Sequence, residues 1–260
     1  MAPTGTKILT VAGQGGSSGK TTTAVTLAAL MARQGRSVVV GDLDLQANAT
    51  TWLGVDPDDL EYDIGQMMLK KVDLPGALVE TNTPGVRLLP ASSDLGGDVV
   101  EMQRAAGSEQ RLRVAFRNLP DDVDSVILDC PGSMSTLTIA ALMVSTGVIT
   151  TAVPASKEIQ GGLAFAGTVD DTSDMYDLDL ELGAVVPCQV PPAGSGALYQ
   201  DGLRVLREVF PGAVTHEVRR SVRVPEAASR RMPLPQWAPS HAVTDDYRQV
   251  LADLVGKGLL

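Results

Sequence analysis

The chain has 260 residues, 44% of them hydrophobic and 20% charged, with a net charge of −10. That length buries one sizeable core, and the acid excess excludes a protein that coats nucleic acid through overall charge, though not one with a local basic patch. Two cysteines, Cys130 and Cys188, are too few for a disulfide framework, so a reducing, cytoplasmic setting is expected.

Met1–Thr6 is too short and polar for a signal peptide. An apolar run predicts a first strand over Lys7–Ala12, and helical spacing predicts a helix over Thr21–Gln34. Between strand and helix stand Gly13, Gln14, Gly15, Gly16, Ser17, Ser18, Gly19, Lys20, Thr21 and Thr22. A glycine-rich turn at this place exposes backbone N–H groups and the positive end of a helix to one spot. With a lysine and a hydroxyl able to reach Mg²⁺, that spot suits a nucleoside triphosphate. The strict P-loop spacing asks for glycine at position 14, where this chain has Gln14 preceded by Gly13.

Further strands are predicted over Ser37–Val40, Val86–Leu89, Ser125–Leu128, Val148–Val153 and Gly183–Pro187. Helices are predicted over Asp98–Ala106, Glu109–Asn118, Leu137–Val144, Gln160–Thr172 and Ala197–Phe210. This alternation implies an α/β fold, a mostly parallel sheet with helices on both faces, as one domain over 1–260. No ionisable side chain occurs from Cys130 to Ser156, but Pro131, Gly132, Gly147 and Pro154 break that stretch into a turn, a helix and a strand rather than a membrane span.

Ligands in such sheets sit beyond the carboxyl ends of the strands. Asp42 and Asp44 follow the second strand, and their period-2 spacing would send both side chains to one side. Asp129 follows Val126-Ile127-Leu128, where a carboxylate suits a Walker-B role toward the metal. The rigid loop from Pro187 to Gly196 borders a base pocket or is simply a loop. Trp52, Trp237, Met31, Met67 and Met68 read as packing residues, and His216 and His241 suggest no metal site. The last helix has an apolar face of Val243, Tyr247, Val250, Leu251 and Leu254. Its polar side carries Asp245, Asp246 and Asp253, so packing on the core is expected rather than binding to anionic lipid.

Taken together, the P-loop, Asp42-Leu43-Asp44-Leu45-Gln46, Leu89-Pro90-Ala91-Ser92-Ser93-Asp94-Leu95, Asp129-Cys130-Pro131-Gly132-Ser133 and Val222-Arg223-Val224-Pro225-Glu226-Ala227-Ala228-Ser229 resemble the deviant-Walker ATPases of the ParA/Soj type, with MinD among their relatives. The resemblance implies that Lys20 and the loop amides bind ATP phosphates and that Thr21 ligates Mg²⁺. It implies that Asp44 positions the hydrolytic water and that Asp42 and Asp129 support the metal. It further implies an ATP-bound homodimer that holds nonspecific double-stranded DNA, a ParB-like partner that stimulates hydrolysis, nucleoid association and no membrane. No separate N-terminal DNA-reading domain is expected. One departure stands out: family loops carry a signature lysine that crosses the dimer, and here Gly15, or Gln14 with a one-residue insertion, takes its site. Slow hydrolysis, or a substitute basic group, is expected.

The arginines Arg204, Arg207, Arg219, Arg220, Arg223, Arg230 and Arg231 outnumber the acids of their segment. Such a patch can neutralise phosphates without sequence preference. Arg219, Arg220 and Arg223 are the first candidates, followed by Arg230 and Arg231, with pairing to the protein's own acids as the competing reading. A MinD-like or other cargo-positioning ATPase, or a metabolic P-loop enzyme such as a dethiobiotin-synthetase-like ligase, remains the alternative. The two cysteines do not supply the pattern of a nitrogenase-reductase-like cluster carrier.

Overall fold

The computed structural model describes residues 5–16, 18–104, 106–192 and 197–260. The chain begins β1 (Lys7–Val11), α1 (Lys20–Arg33), β2 (Val38–Asp42), α2 (Asn48–Trp52), α3 (Ile64–Met68), α4 (Leu74–Ala77), β3 (Val79–Glu80), β4 (Val86–Leu89), α5 (Leu95–Gln103) and α6 (Arg111–Ala115). It continues β5 (Ser125–Asp129), α7 (Thr136–Leu142), β6 (Gly147–Ala152), α8 (Ser156–Tyr176), β7 (Leu182–Pro187), α9 (Ala197–Val209), α10 (Arg223–Ser229), α11 (Leu234–Trp237) and α12 (Ala242–Gly256).

The strands form one sheet in the order β3-β4-β2-β5-β1-β6-β7. β3 runs antiparallel to β4, and all other neighbours are parallel. Side chains alternate along each strand: Val38 and Val40 enter one core layer and Val39 the other, as Ile127 opposes Val126 and Leu128. Both faces of the central strands are therefore buried, which is why these strands read as unbroken apolar runs. α1 lies in one layer with Thr23–Met31 wholly buried, and it stops where Gly35 adopts φ +87°.

Two predicted helices differ. The 109–118 segment is two 3₁₀ turns flanking the five-residue α6. The helix expected from Asp98 starts at Leu95, so Asp98 lies inside it, buried and paired with Lys71 at 3.2 Å; Ala105, within the expected range, lies outside the described residues. α8 extends the expected 160–172 helix at both ends. The apolar face of α12 packs into the α1 layer as expected, with Val243, Tyr247, Val250 and Leu254 at most 1% exposed. Among the described residues no helix is long and apolar enough to cross a membrane.

The sheet brings three strand ends together. Val11 pairs with Asp129 across β1 and β5, and Asp42 pairs with the same Asp129 across β2 and β5. The loop leaving β1 starts at Gly13, whose φ is +142° and where a Cβ would lie 2.1 Å from Thr150 Oγ1. A Gly13→Ala variant is expected to lose about 2–3 kcal/mol of stability from the clash and the positive φ, read as a lowered midpoint in urea; an unchanged midpoint would show that β6 yields freely.

Candidate functional site

The loop from Gly13 to Lys20 is held on three sides. The Gly15 N–H donates to the Gly132 carbonyl at 3.3 Å, and the Thr151 hydroxyl donates to Ser18 Oγ at 2.9 Å. Gly19, at φ +103°, sits where a Cβ would meet Cys188 Sγ at 3.1 Å. Ser17 lies outside the described residues. α1 opens at Lys20 with no side-chain cap and no acidic residue in its first turn. Its first amides, lacking helical acceptors, are left facing any anion bound there.

Lys20 is 7% exposed, and its Nζ donates to the Gly15 carbonyl at 2.6 Å. Burial pushes its pKa down, while the Asp129 and Asp44 carboxylates pull it back up. At Gly132 a Cβ would lie 2.9 Å from the Gly15 carbonyl oxygen and 3.5 Å from Lys20 Nζ, so the turn after β5 closes tightly over the loop.

The three acids take different parts. Asp42 ends β2 fully buried; its Oδ2 accepts from the Thr50 N–H and hydroxyl, both at 2.8 Å, and its Oδ1 accepts from the Asp44 N–H at 3.1 Å. Burial pushes its carboxyl up to about 6 despite those bonds. Asp42 therefore ties β2 to α2, and the strand ends at Asp42. Asp44 lies beyond, half-buried, with one carboxylate oxygen accepting from the Gln46 N–H at 3.1 Å.

Asp129 is buried with neither carboxylate oxygen hydrogen-bonded among the described residues. Burial pushes it well above the usual carboxylate range and the neighbouring Asp42 adds to the rise, while the Thr21 hydroxyl and the Lys20 ammonium oppose it. An orphaned carboxylate beside a hydroxyl is a set of hard oxygens, which fits Mg²⁺.

Lys20 and Asp44, though not Asp42 or Asp129, line a cleft of about 990 Å³. Gly16, Lys20, Thr21, Thr22 and Asp44 line it, as do Cys188, Gln189 and residues of the 218–225 segment. The loop after β7 thus borders the cleft, although Ala193–Gly196 lie outside the described residues. Trp52 lines the cleft and donates its Nε1–H to the Met232 carbonyl at 2.9 Å, joining α2 to the turn after α10. Tyr247 of α12 reaches the P-loop helix, with its hydroxyl 3.3 Å from Thr23 Oγ1.

The arginines separate by partner. Arg219 grips Asp246 with its Nε and Nη2 at 2.6 and 2.7 Å and with its backbone N–H at 3.0 Å. Arg223 pairs with Glu226 at 2.7 Å, Arg207 with Glu217, and Arg204 with Asp201 and Glu208. Exposed Arg230 stacks over Trp237 at 4.1 Å. Exposed Arg220 and Arg231 have no ion pair among the described residues. Sequence reading missed Thr50 as the anchor of Asp42 and Asp246 as the anchor of Arg219; both contacts join residues brought together only by folding.

A family model described as "AAA domain" matches residues 6–182. The chromosome-partitioning ATPase Soj of Thermus thermophilus is 34% identical over 96% of this chain and 95% of its own length. The sporulation initiation inhibitor protein Soj of Bacillus subtilis is 29% identical over 97% and 99%. A solved structure described as cobyrinic acid a,c-diamide synthase from Mycobacterium smegmatis, with bound ATP analog and magnesium, superposes with a TM-score of 0.82 at 29% identity over 96% of this chain and 94% of that one. The loop between β1 and α1, the carboxylates at the ends of β2 and β5, and these relatives lead to one assignment: the chain belongs to the ParA/Soj group of P-loop ATPases in the ParA/MinD superfamily.

Proposed function

We propose that the protein is a partition ATPase that pairs with a second copy when ATP is bound, holds double-stranded DNA without sequence preference, and lets go after hydrolysis stimulated by a ParB-like partner. Lys20 and the amides of residues 13–22 hold the phosphates, Thr21 and Asp129 hold Mg²⁺, and Asp44 orients the attacking water. Asp42 acts one step back, fixing the turn that carries Asp44. Bound Mg²⁺ supplies positive charge to the phosphates as the terminal P–O bond breaks. The loop itself carries no cation besides Lys20, so hydrolysis without the partner is slow.

The observation that carries this reading is the shared cleft, in which the 218–225 segment beside the exposed arginines forms one wall of the nucleotide site. Arg220, Arg230 and Arg231 are the DNA-facing side chains. Arg219 and Arg223, held by Asp246 and Glu226, shape the surface instead.

Fluorescence anisotropy of a random-sequence duplex with ATP–Mg²⁺, ADP–Mg²⁺ or no nucleotide, at two salt concentrations, tests this. Salt-sensitive binding with ATP alone is expected. Arg220→Ala should weaken it for every sequence and lower the salt slope by about 1. Equal, negligible binding in all three states would sink the reading. The M. smegmatis likeness favours a second reading, an ATP-dependent metabolic enzyme, for which ADP release would follow a small substrate and ignore DNA.

A further inference from the structure

Arg230 and Arg231 stand on the turn that ends α10, and this turn is gripped by side chains from other parts of the fold. Arg231 takes φ +53°, a left-handed setting that favours glycine, so the turn depends on its surroundings. The Asn82 Nδ2–H donates to the Arg231 carbonyl at 2.6 Å. The Trp52 Nε1–H donates to the next carbonyl along, that of Met232. Trp52 is the last residue of α2, and Asn82 lies between β3 and β4.

α2 in turn borders the nucleotide cleft. Asn48, Thr51 and Trp52 line it, as do Val224, Pro225 and Ala228 of α10. Thr50 of the same helix is bonded to Asp42, which also holds the Asp44 N–H. Beyond α2 the Leu53 carbonyl accepts from the Asn82 N–H at 3.3 Å, and a Cβ on Gly54 would lie 2.4 Å from Asn82 Nδ2. Hydrogen bonds and close contacts therefore run without a break from the Asp44 turn through α2 to the carbonyls of Arg231 and Met232. Close-packed parts of this kind pass a displacement on rather than absorb it.

We infer that Trp52 and Asn82 are positioning residues that carry the state of the nucleotide cleft to Arg230 and Arg231, so that bound ATP raises the affinity for DNA by setting this turn. The inference rests on the reading of the cleft as an ATP site and of these arginines as DNA-facing. The two bonds act on backbone carbonyls, so they fix where the arginines point without touching their charges. Linkage makes the effect mutual: DNA tightens the hold on ATP by the same factor as ATP tightens the hold on DNA.

The test compares wild type with N82A, W52F and W52F/N82A. Phenylalanine at position 52 keeps an aromatic ring in the core and removes the donor. The first readout is the affinity for a random-sequence duplex with a non-hydrolysable ATP analogue and Mg²⁺, divided by the affinity without nucleotide. The same ratio is taken in reverse, as analogue affinity with and without DNA. The second readout is hydrogen exchange of the 223–232 amides with and without the analogue. W52F/N82A is expected to lose at least fivefold of the ratio in both directions, and each single variant part of it. N82A should keep the wild-type analogue affinity without DNA and the wild-type thermal midpoint. The analogue should slow exchange over 223–232 in wild type and leave it unchanged in W52F/N82A. A wild-type ratio in W52F/N82A would overturn the inference. So would a loss of DNA affinity that is equal with and without the analogue, since that describes a surface shaped by the two bonds but not set by nucleotide. If the wild type binds no DNA in any state, the partition reading fails, and exchange still decides the role of Trp52 and Asn82: slowing that is the same in wild type and W52F/N82A would overturn it.

Discussion

Replacing Asp44 by alanine is expected to stop ATP turnover while leaving ATP–Mg²⁺ bound. Asp44 lines the cleft, as do residues of the 218–225 segment, on a turn fixed by the three bonds to Asp42. Its carboxylate gives one oxygen to the Gln46 N–H, which orients the group without exhausting its capacity to accept. A positioned carboxylate of this kind is worth about 10²–10⁴-fold in rate. Phosphate binding rests on α1 and the loop, so the affinity for an ATP analogue should change by less than about threefold, well under one hydrogen bond to a charged group. Single-turnover hydrolysis beside equilibrium binding separates the two. Retained turnover in D44A would move the water-orienting role to another group. Loss of binding with turnover would mean that Asp44 helps to hold the nucleotide.

Asp129→Asn is expected to make the nucleotide-free protein more stable and to uncouple nucleotide binding from Mg²⁺. Asp42 and Asp129 are neighbours in register, both buried, and both have carboxyls raised above the usual range. A carboxyl raised in the folded state favours folding in full below its unfolded value near 4. That contribution disappears as pH rises through the folded value, which for Asp42 is about 6. At neutral pH the pair therefore opposes folding. Asparagine keeps the shape and removes one charge, so the gain at pH 8 should be on the order of 1–3 kcal/mol and shrink toward pH 4. Urea melts at pH 4, 6 and 8 without nucleotide read the gain. Nucleotide binding with and without Mg²⁺ reads the lost coupling. A D129N protein no more stable at pH 8 than wild type would show that the orphaned carboxylate is met by water.

The sheet was legible because its central strands are buried on both sides, so apolar runs such as Val126–Leu128 stand out wherever they end in an acid or a glycine. The phosphate loop was legible because its residues are contiguous. The short helices were not: α3 and α4 begin on Asp63 and Asp73, which accept from the N–H groups of Gln66 and Gly76, and five residues or fewer give no helical period to read. Asp42 shows the same limit within the site. An aspartate after a strand looks alike whether it faces a ligand or caps the next helix, and only the fold reveals Thr50 in front of it. Arg219 looked available for DNA because Asp246 stands 27 residues away in sequence.

The place of β1 between β5 and β6 governs the order in which the protein can be built. Lys7 faces Ser125 and Leu9 faces Gly147, so β1 waits for more than a hundred further residues before either edge is paired. Until then Ile8, Leu9 and Val11 form an apolar segment with two open edges, the kind of exposure that slows folding and invites aggregation. The helix after it is covered last, when Tyr247 and its neighbours on α12 close over α1. The phosphate loop is thus synthesised long before it becomes a binding site, and a nascent chain stalled before α12 would have the motif complete and the cradle unmade.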